Sequence, residues 1–347
     1  MTTSRSAWAR DKSKLTLEQQ VRYIKDTGVS FNLYSEAEAL VFLRDETYFN
    51  KITAFGPLWK KDADGRFYNL DFGQLVDLWR IDRLLSQVCM LMTLEIEAWA
   101  KEQIVSRCDQ LNSEDGYSLV DDFWNSLDKA NKKNLRNDLH INADRRMLEG
   151  SPWMDEEYLE PLLDKYELDL PVWVLMLTAF FNTLQMFYRF CGRRWHDEQM
   201  VADSYLLLDV KNIRNLCAHN NGLLVGLSEA PDEGKLAKHE AFEALGSTGV
   251  DSQSCKKQMK QRRMRELLSV IYLYGRIVSE GLQDQEGVLG LVQTLVERIR
   301  AKREVFSSNS QLADALQLVA DACTLLVSAP SQTTSKDRPL NQRKAHD

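Results

Sequence analysis

Residues 72–108 read FGQLVDLWRIDRLLSQVCMLMTLEIEAWAKEQIVSRC, and this stretch decides the fold class. In it Leu75, Leu78, Ile81, Leu85, Val88 and Met92 recur every three or four residues, the spacing that gathers apolar side chains on one face of an α-helix. A helix running from Phe72 to about Cys108 sets the expectation of an all-α protein. Composition agrees: across 347 residues there are only 16 Gly and 7 Pro, too few for a loop-rich or all-β architecture.

Upstream, the first 15 or so residues are polar and are expected to be flexible. Thr16 precedes Leu17-Glu18-Gln19 as a helix cap, with Val21 and Ile24 continuing a short helix. A second helix is expected from Ser35 to about Leu43. Tyr48 to Trp59 gathers aromatics around Gly56-Pro57, a compact turn beside a small N-terminal helical region. Downstream, DQLNSEDGY at 109–117 breaks the long helix, and shorter helices are expected within 118–150. Pro171 suits the first position of a single helix from Val172 to Arg189, apolar nearly all round and therefore central. Ala202 to His219 reads as helix again, and 226–254 as a polar loop.

Three helices are expected to close the domain. In Val288, Val292, Leu295, Ile299 and in Leu312, Leu316, Val319, Cys323, Leu326 the apolar spacing alternates four and three. Such a seam belongs to two helices packing on each other or on a partner. The polar tail at 328–347 reads as disordered, which leaves one helical domain over 16–327.

The formal net charge of −7 argues against a dedicated non-specific nucleic-acid binder, so any RNA contact needs a local patch. The six cysteines are scattered without a C-x-x-C pair, and neither a metal site nor a disulfide framework is expected. No signal peptide is seen, and the most apolar stretch, Val172 to Phe181, is too short to span a bilayer. A cytoplasmic protein without membrane contact is expected. No Walker A, G-x-G-x-x-G or G-x-S-x-G pattern occurs, which sets aside the common nucleotide-binding and hydrolase classes.

Chemistry concentrates at Arg214-Asn215-Leu216-Cys217-Ala218-His219. By chance an R-x4-H pair arises roughly 0.35 times in a chain of this composition, so the bare spacing is weak and the flanking Asn215 and Cys217 sharpen it. The set suits RNA cleavage without a metal or other cofactor. A histidine's unperturbed pKa lies near neutrality, so His219 can serve as acid or base on the 2′-hydroxyl or the leaving 5′-oxygen, giving 2′,3′-cyclic phosphate ends. Arg214 offers a planar fork to the phosphate, and Asn215 can hold substrate or fix the histidine tautomer. The bland reading stands beside it: Arg214 and His219 cap carbonyls or pair with acids such as Asp203 or Asp209. On a straight helix positions five apart point roughly 140° away from each other, so one copy makes an incomplete clamp and a homodimer is the natural completion. The near-copy Arg136-Asn137-Asp138-Leu139-His140 has its His one residue too close.

A basic run, Lys256, Lys257, Lys260, Arg262, Arg263 and Arg265, reads either as an RNA-contacting helix face or as a solvated helix start. Asp82-Arg83 reads as a structural ion pair. Glu95 and Glu97, two apart, face different directions and do not suggest a carboxylate site.

Five stretches, taken in order, resemble the Abi-like family of bacterial phage-defence proteins, the AbiD and AbiF group: Leu15 to Gln20 with Tyr48 to Ile52, Leu78 to Arg83, Glu95 to Glu97, Leu170 to Leu175, and Ile213 to His219. The similarity spans roughly residues 15–225. It implies a multi-helix HEPN-like bundle, and it implies that Arg214, Asn215 and His219 act as the catalytic set of a defence ribonuclease or toxin. A small regulatory RNA is an implied partner, with RNA as substrate and no DNA expected. The alternatives are a non-catalytic RNA-binding protein and a helical protein-interaction module. Four positions depart from the family pattern: Leu177 stands where many members carry Glu, Asn182 where they carry Gly, and Asn220 and Gly222 replace a His and an Arg after the motif.

Overall fold

The computed structural model describes residues 14–138, 165–166, 169–229, 252–279 and 286–326. Nearly all of the expected N-terminal segment, the tail from 328, the middle of the 226–254 loop and His140 of the near-copy lie outside the described residues.

The protein is all-α, with no strand beyond single bridges among the described residues. Helix α1 (Leu17–Asp26) begins where Thr16 and Gln19 exchange side-chain and backbone hydrogen bonds, and α2 (Glu36–Asp45) begins on the same reciprocal cap between Ser35 and Glu38. A short α3 (Phe49–Thr53) and a 3₁₀ turn (Gly56–Leu58) follow. Gly56 is required there, because a Cβ would lie 2.7 Å from the Phe67 ring.

The long helix α4 (Phe72–Gln110) has 39 residues, about 58 Å at 1.5 Å per residue. Asp71 starts it and anchors the N-terminal unit to it. Its Oδ1 accepts from Gly73 N–H at 2.8 Å, and its Oδ2 accepts from the Ser30 hydroxyl and Asn32 N–H, both at 2.7 Å. Phe42 of α2 meets Phe72 and Trp79 edge-on, with centroids 6.0 and 5.3 Å apart.

After α5 (Ser118–Ser126) and α6 (Lys129–Asp138), the expected single helix from Val172 is two: α7 (Val172–Thr178) and α8 (Phe181–Arg194). Ala179 and Phe180 adopt extended backbone between them. The Thr178 hydroxyl donates to the Val174 carbonyl at 3.0 Å, a local bond that competes with helix continuation. The break leaves Phe180 55 % exposed and turns Phe181, 2 % exposed, inward. A run apolar on every side has no single burial direction, and Trp173, Leu177 and Phe180 stay exposed, so the segment is not wholly central as expected.

Helix α9 (Glu198–Ala218) starts four residues before the expected Ala202, where Asp197 accepts from Met200 N–H at 2.9 Å. It packs against α8, α4 and α11 (Arg262–Ser279). A 3₁₀ segment (Leu224–Ser228), α10 (Ser252–Met259), α12 (Glu286–Ala301) and α13 (Ser310–Leu326) complete the order. The two heptad-like rows face each other: Val292, Leu295, Val319 and Cys323 are fully buried, and α12 packs on α13.

Candidate functional site

The last turns of α9 carry the motif, and the helix ends on it. His219 is the C-cap residue, and Asn220 follows in the left-handed conformation at φ 52°. Asn220 N–H donates to the Cys217 carbonyl at 2.9 Å and Asn221 N–H to that of Leu216 at 2.8 Å, the two bonds of a Schellman ending. Asn is the residue besides Gly that tolerates this backbone, so the departure at position 220 has a structural use.

Along α9 the exposed side chains Tyr205, Leu208, Asn215 and His219 follow a three-and-four spacing, one face of the helix. Arg214 points elsewhere and is half-buried. Its Nε is sealed from solvent without a partner, and its Nη1 donates to Asn215 Oδ1 at 3.3 Å. The acids named as candidate partners of the motif, Asp203 and Asp209, are engaged elsewhere. Asp203 takes Arg276 at 2.7 Å and Gln199 at 2.9 Å, and Asp209 takes the Ser269 hydroxyl at 2.8 Å. Among the described residues Arg214 and His219 have no acidic partner.

The turn after the motif is held by a carboxylate. Asp82, 6 % exposed on α4, accepts from Leu224 N–H at 2.6 Å and also from Leu223 N–H. Burial pushes its carboxyl up to about 6, against the lowering effect of those two amides and of Lys51 and Arg263. The expected Asp82–Arg83 ion pair is therefore absent: Asp82 faces inward to the 3₁₀ segment, while exposed Arg83 lies over the Trp79 ring at 5.5 Å. The sequence carried a signal for this, since an acid at position 82 sits on the same helical face as Leu78 and Leu85. Cys217 is pushed up to about 12, by burial first and by Asp82 second, and remains a thiol at neutral pH.

Beside this carboxylate opens a cleft of ≈ 640 Å³ between α2–α3, α4 and the turn at 220–225. Asn220, Asn221 and Gly222 line it. A Cβ at Gly222 would stand 2.8 Å from Val225 Cγ2 and 3.5 Å from Asp82 Oδ2, so the missing side chain keeps the cleft open. The other two departures are placed as follows: Asn182 Oδ1 accepts from Lys211 Nζ at 3.1 Å, and Leu177 is exposed.

The basic run does not form one helix face, because it bends between α10 and α11. Lys256, Lys257 and Arg262 are at the surface, and Lys260 is half-buried in the bend. Arg262 and Arg263 both donate to buried Glu266, at 2.8 and 2.7 Å, and Asn212 of α9 joins them at 3.0 Å. Arg265 is buried and donates to the carbonyls of Met259 at 2.9 Å and Lys260 at 3.2 Å. Arg263 lies against Gly226, where a Cβ would come within 2.5 Å of its Nε. Glu97 pairs with Lys101 at 3.0 Å one turn on, and no group of His, Cys, Asp or Glu suited to a metal occurs among the described residues. No helix among them is long and apolar enough to cross a membrane.

A family model described as Abi-like protein matches residues 41–224, just over half of the chain, from within α2 to the first residue of the 3₁₀ segment. No curated protein and no solved structure matches.

Proposed function

The chain belongs to the Abi-like protein family, and from that premise we propose that it is a phage-defence effector acting as a HEPN-type endoribonuclease. The observation that carries this reading is the pairing state of the motif: a half-buried arginine with an unpartnered Nε and an exposed histidine, neither neutralised by an acid. His219 takes the proton of the 2′-hydroxyl as the 2′-oxygen attacks phosphorus, or supplies the proton with which the 5′-oxygen leaves. Arg214 offsets the charge that builds on the phosphorane oxygens. Acid–base transfer and charge stabilisation are both supplied by side chains, so the reaction runs without a metal and leaves 2′,3′-cyclic phosphate ends. Asn215, bonded to Arg214, holds that guanidinium in place.

One protomer presents Arg214 and His219 roughly 140° apart around α9, which leaves the phosphate clamped on one side. A second copy related by a two-fold axis supplies the missing side, and exposed Tyr205 and Leu208 lie on the same helical face as His219 to form the contact. The rival reading, a non-catalytic protein that binds a small RNA, is favoured by that same angular separation should the protein be a monomer.

The test is incubation of pure protein with total RNA in EDTA. His219→Ala and Arg214→Ala should each lower the cleavage rate about 10²- to 10⁴-fold while leaving the helical circular-dichroism signal intact. Equal cleavage by the His219→Ala protein would remove the assignment.

A further inference from the structure

The cleft beside the motif is not accounted for by catalysis at Arg214 and His219, neither of which lines it. Its polar walls include Lys51, Arg83, Asn220 and Asn221 together with the carboxylates of Glu46 and Asp82, and its aromatic walls include Tyr48 and Trp79. A second cleft of ≈ 360 Å³ shares Glu46, Trp79 and Arg83 with it and adds Arg80 and Arg298. Together the two hold four cations against two carboxylates, Glu46 and Asp82, in a chain whose net charge is −7. Asp82 is already occupied by the amides of Leu223 and Leu224. Lys51, Arg83 and Arg298 have no ion pair among the described residues, and Arg80 donates only to the Tyr34 hydroxyl, at 3.3 Å.

A cleft of this size matches small-ligand sites, which span about 300–1,000 Å³. Unpaired cations on an otherwise acidic molecule favour an anion. The exposed face of Tyr48 next to them favours a flat ring, and the amide edges of Asn220 and Asn221 can read its rim. We propose that this double cleft binds nucleotides, with the phosphate held by Lys51 and Arg83 and a base stacked on exposed Tyr48. The shared Trp79–Arg83 ridge divides it into two subsites, so that a single strand crosses from the first cleft toward Arg80 and Arg298. The ligand is either a free nucleotide or two successive nucleotides of an RNA strand. The inference shares with the proposed function only its RNA chemistry and does not require cleavage.

The test uses the full chain carrying His219→Ala, so that turnover cannot consume the probe. Binding of a fluorescein-labelled single-stranded 12-nucleotide RNA is followed by anisotropy at several salt concentrations. The Lys51→Gln/Arg83→Gln pair should weaken binding at least about tenfold and reduce the slope of log affinity on log salt by about 1.4, roughly 0.7 for each contact to a single strand. Tyr48→Leu, at an exposed position, should weaken it about tenfold with the slope unchanged. Thermal melts matching the parent protein verify that the variants fold. Displacement of the RNA by millimolar AMP or UMP, or direct calorimetric binding of either, assigns the cleft to a free nucleotide. RNA binding that resists both assigns it to a strand. RNA affinity unaffected by the Lys51 and Arg83 changes, together with no mononucleotide binding, overturns the proposal. That result is distinct from the failure of catalysis, because the parent with intact His219 is scored separately for cyclic-phosphate cuts.

Discussion

Asp82 carries a charge into the interior and receives two backbone amides in return, an exchange that leaves its carboxyl near 6. An ordinary unfolded aspartate titrates near 3.9, so between about pH 4 and 6 the folded chain holds more protons than the unfolded one. Stability therefore falls as pH rises through that window and stays lower above it. The size is about 3 kcal/mol for a two-unit displacement. Asp82→Asn retains an acceptor for the Leu224 amide and cannot ionise. Relative to wild type it should gain about 2 kcal/mol on going from pH 4 to pH 7, read from urea unfolding at both values. Parallel pH profiles would contradict the burial argument. Cys217 gives a second check at this scale: held at about 12, its thiol should react slowly with iodoacetamide at neutral pH, and Cys217→Ala should cleave RNA like the wild type.

Helices α12 and α13 show what an apolar seam does once its partner is known. Leu295 is fully buried where the two meet, so Leu295→Ala should cost about 2–5 kcal/mol in urea unfolding, the range for a truncated core leucine. Because the seam is spent inside the fold, it no longer offers a surface to another protein. The first cap was legible from its own residues: Thr16 with Gln19 stands within four residues of sequence, and its geometry involves nothing else. Thr16→Ala should cost about 1 kcal/mol. The break at Ala179–Phe180 was not legible, because an all-round apolar run has no periodicity to say where its burial direction changes.

At the scale of the molecule, the acidic total conceals a local excess of cations at the paired clefts, and salt dependence is the property that reports on it. The proposed dimer is a second whole-molecule property. Leu208 is 40 % exposed on the face of α9 that carries His219. A charge there costs the monomer within about 0.5 kcal/mol but opposes burial between two copies. Leu208→Asp should therefore halve the mass seen by light scattering after size exclusion and take RNA cleavage with it, while the thermal melt of the monomer is little changed. A wild type that is monomeric at working concentration would redirect the reading to RNA binding without cleavage.

By itself the sequence determined the helical class, the long helix of α4, the first cap, the apolar seam and the family resemblance that residues 41–224 bear out. Each of these rests on short-range order: spacing along a helix, a cap within one turn, or motifs in a fixed succession. It also pointed to Arg214 and His219, whose lack of acidic partners was invisible until Asp203 and Asp209 were seen to be taken by Arg276 and Ser269, some 60 or more residues away. The tertiary structure alone decided that Asp82 serves the Leu224 amide 142 residues downstream instead of its neighbour Arg83. It alone turned Arg263 and Arg265 inward and assembled a cleft from α2–α3, α4 and the turn after His219. The reason is physical: a polar side chain is satisfied by whatever donor the packing of distant helices brings to it, and sequence periodicity encodes which face is buried but not what will be waiting there.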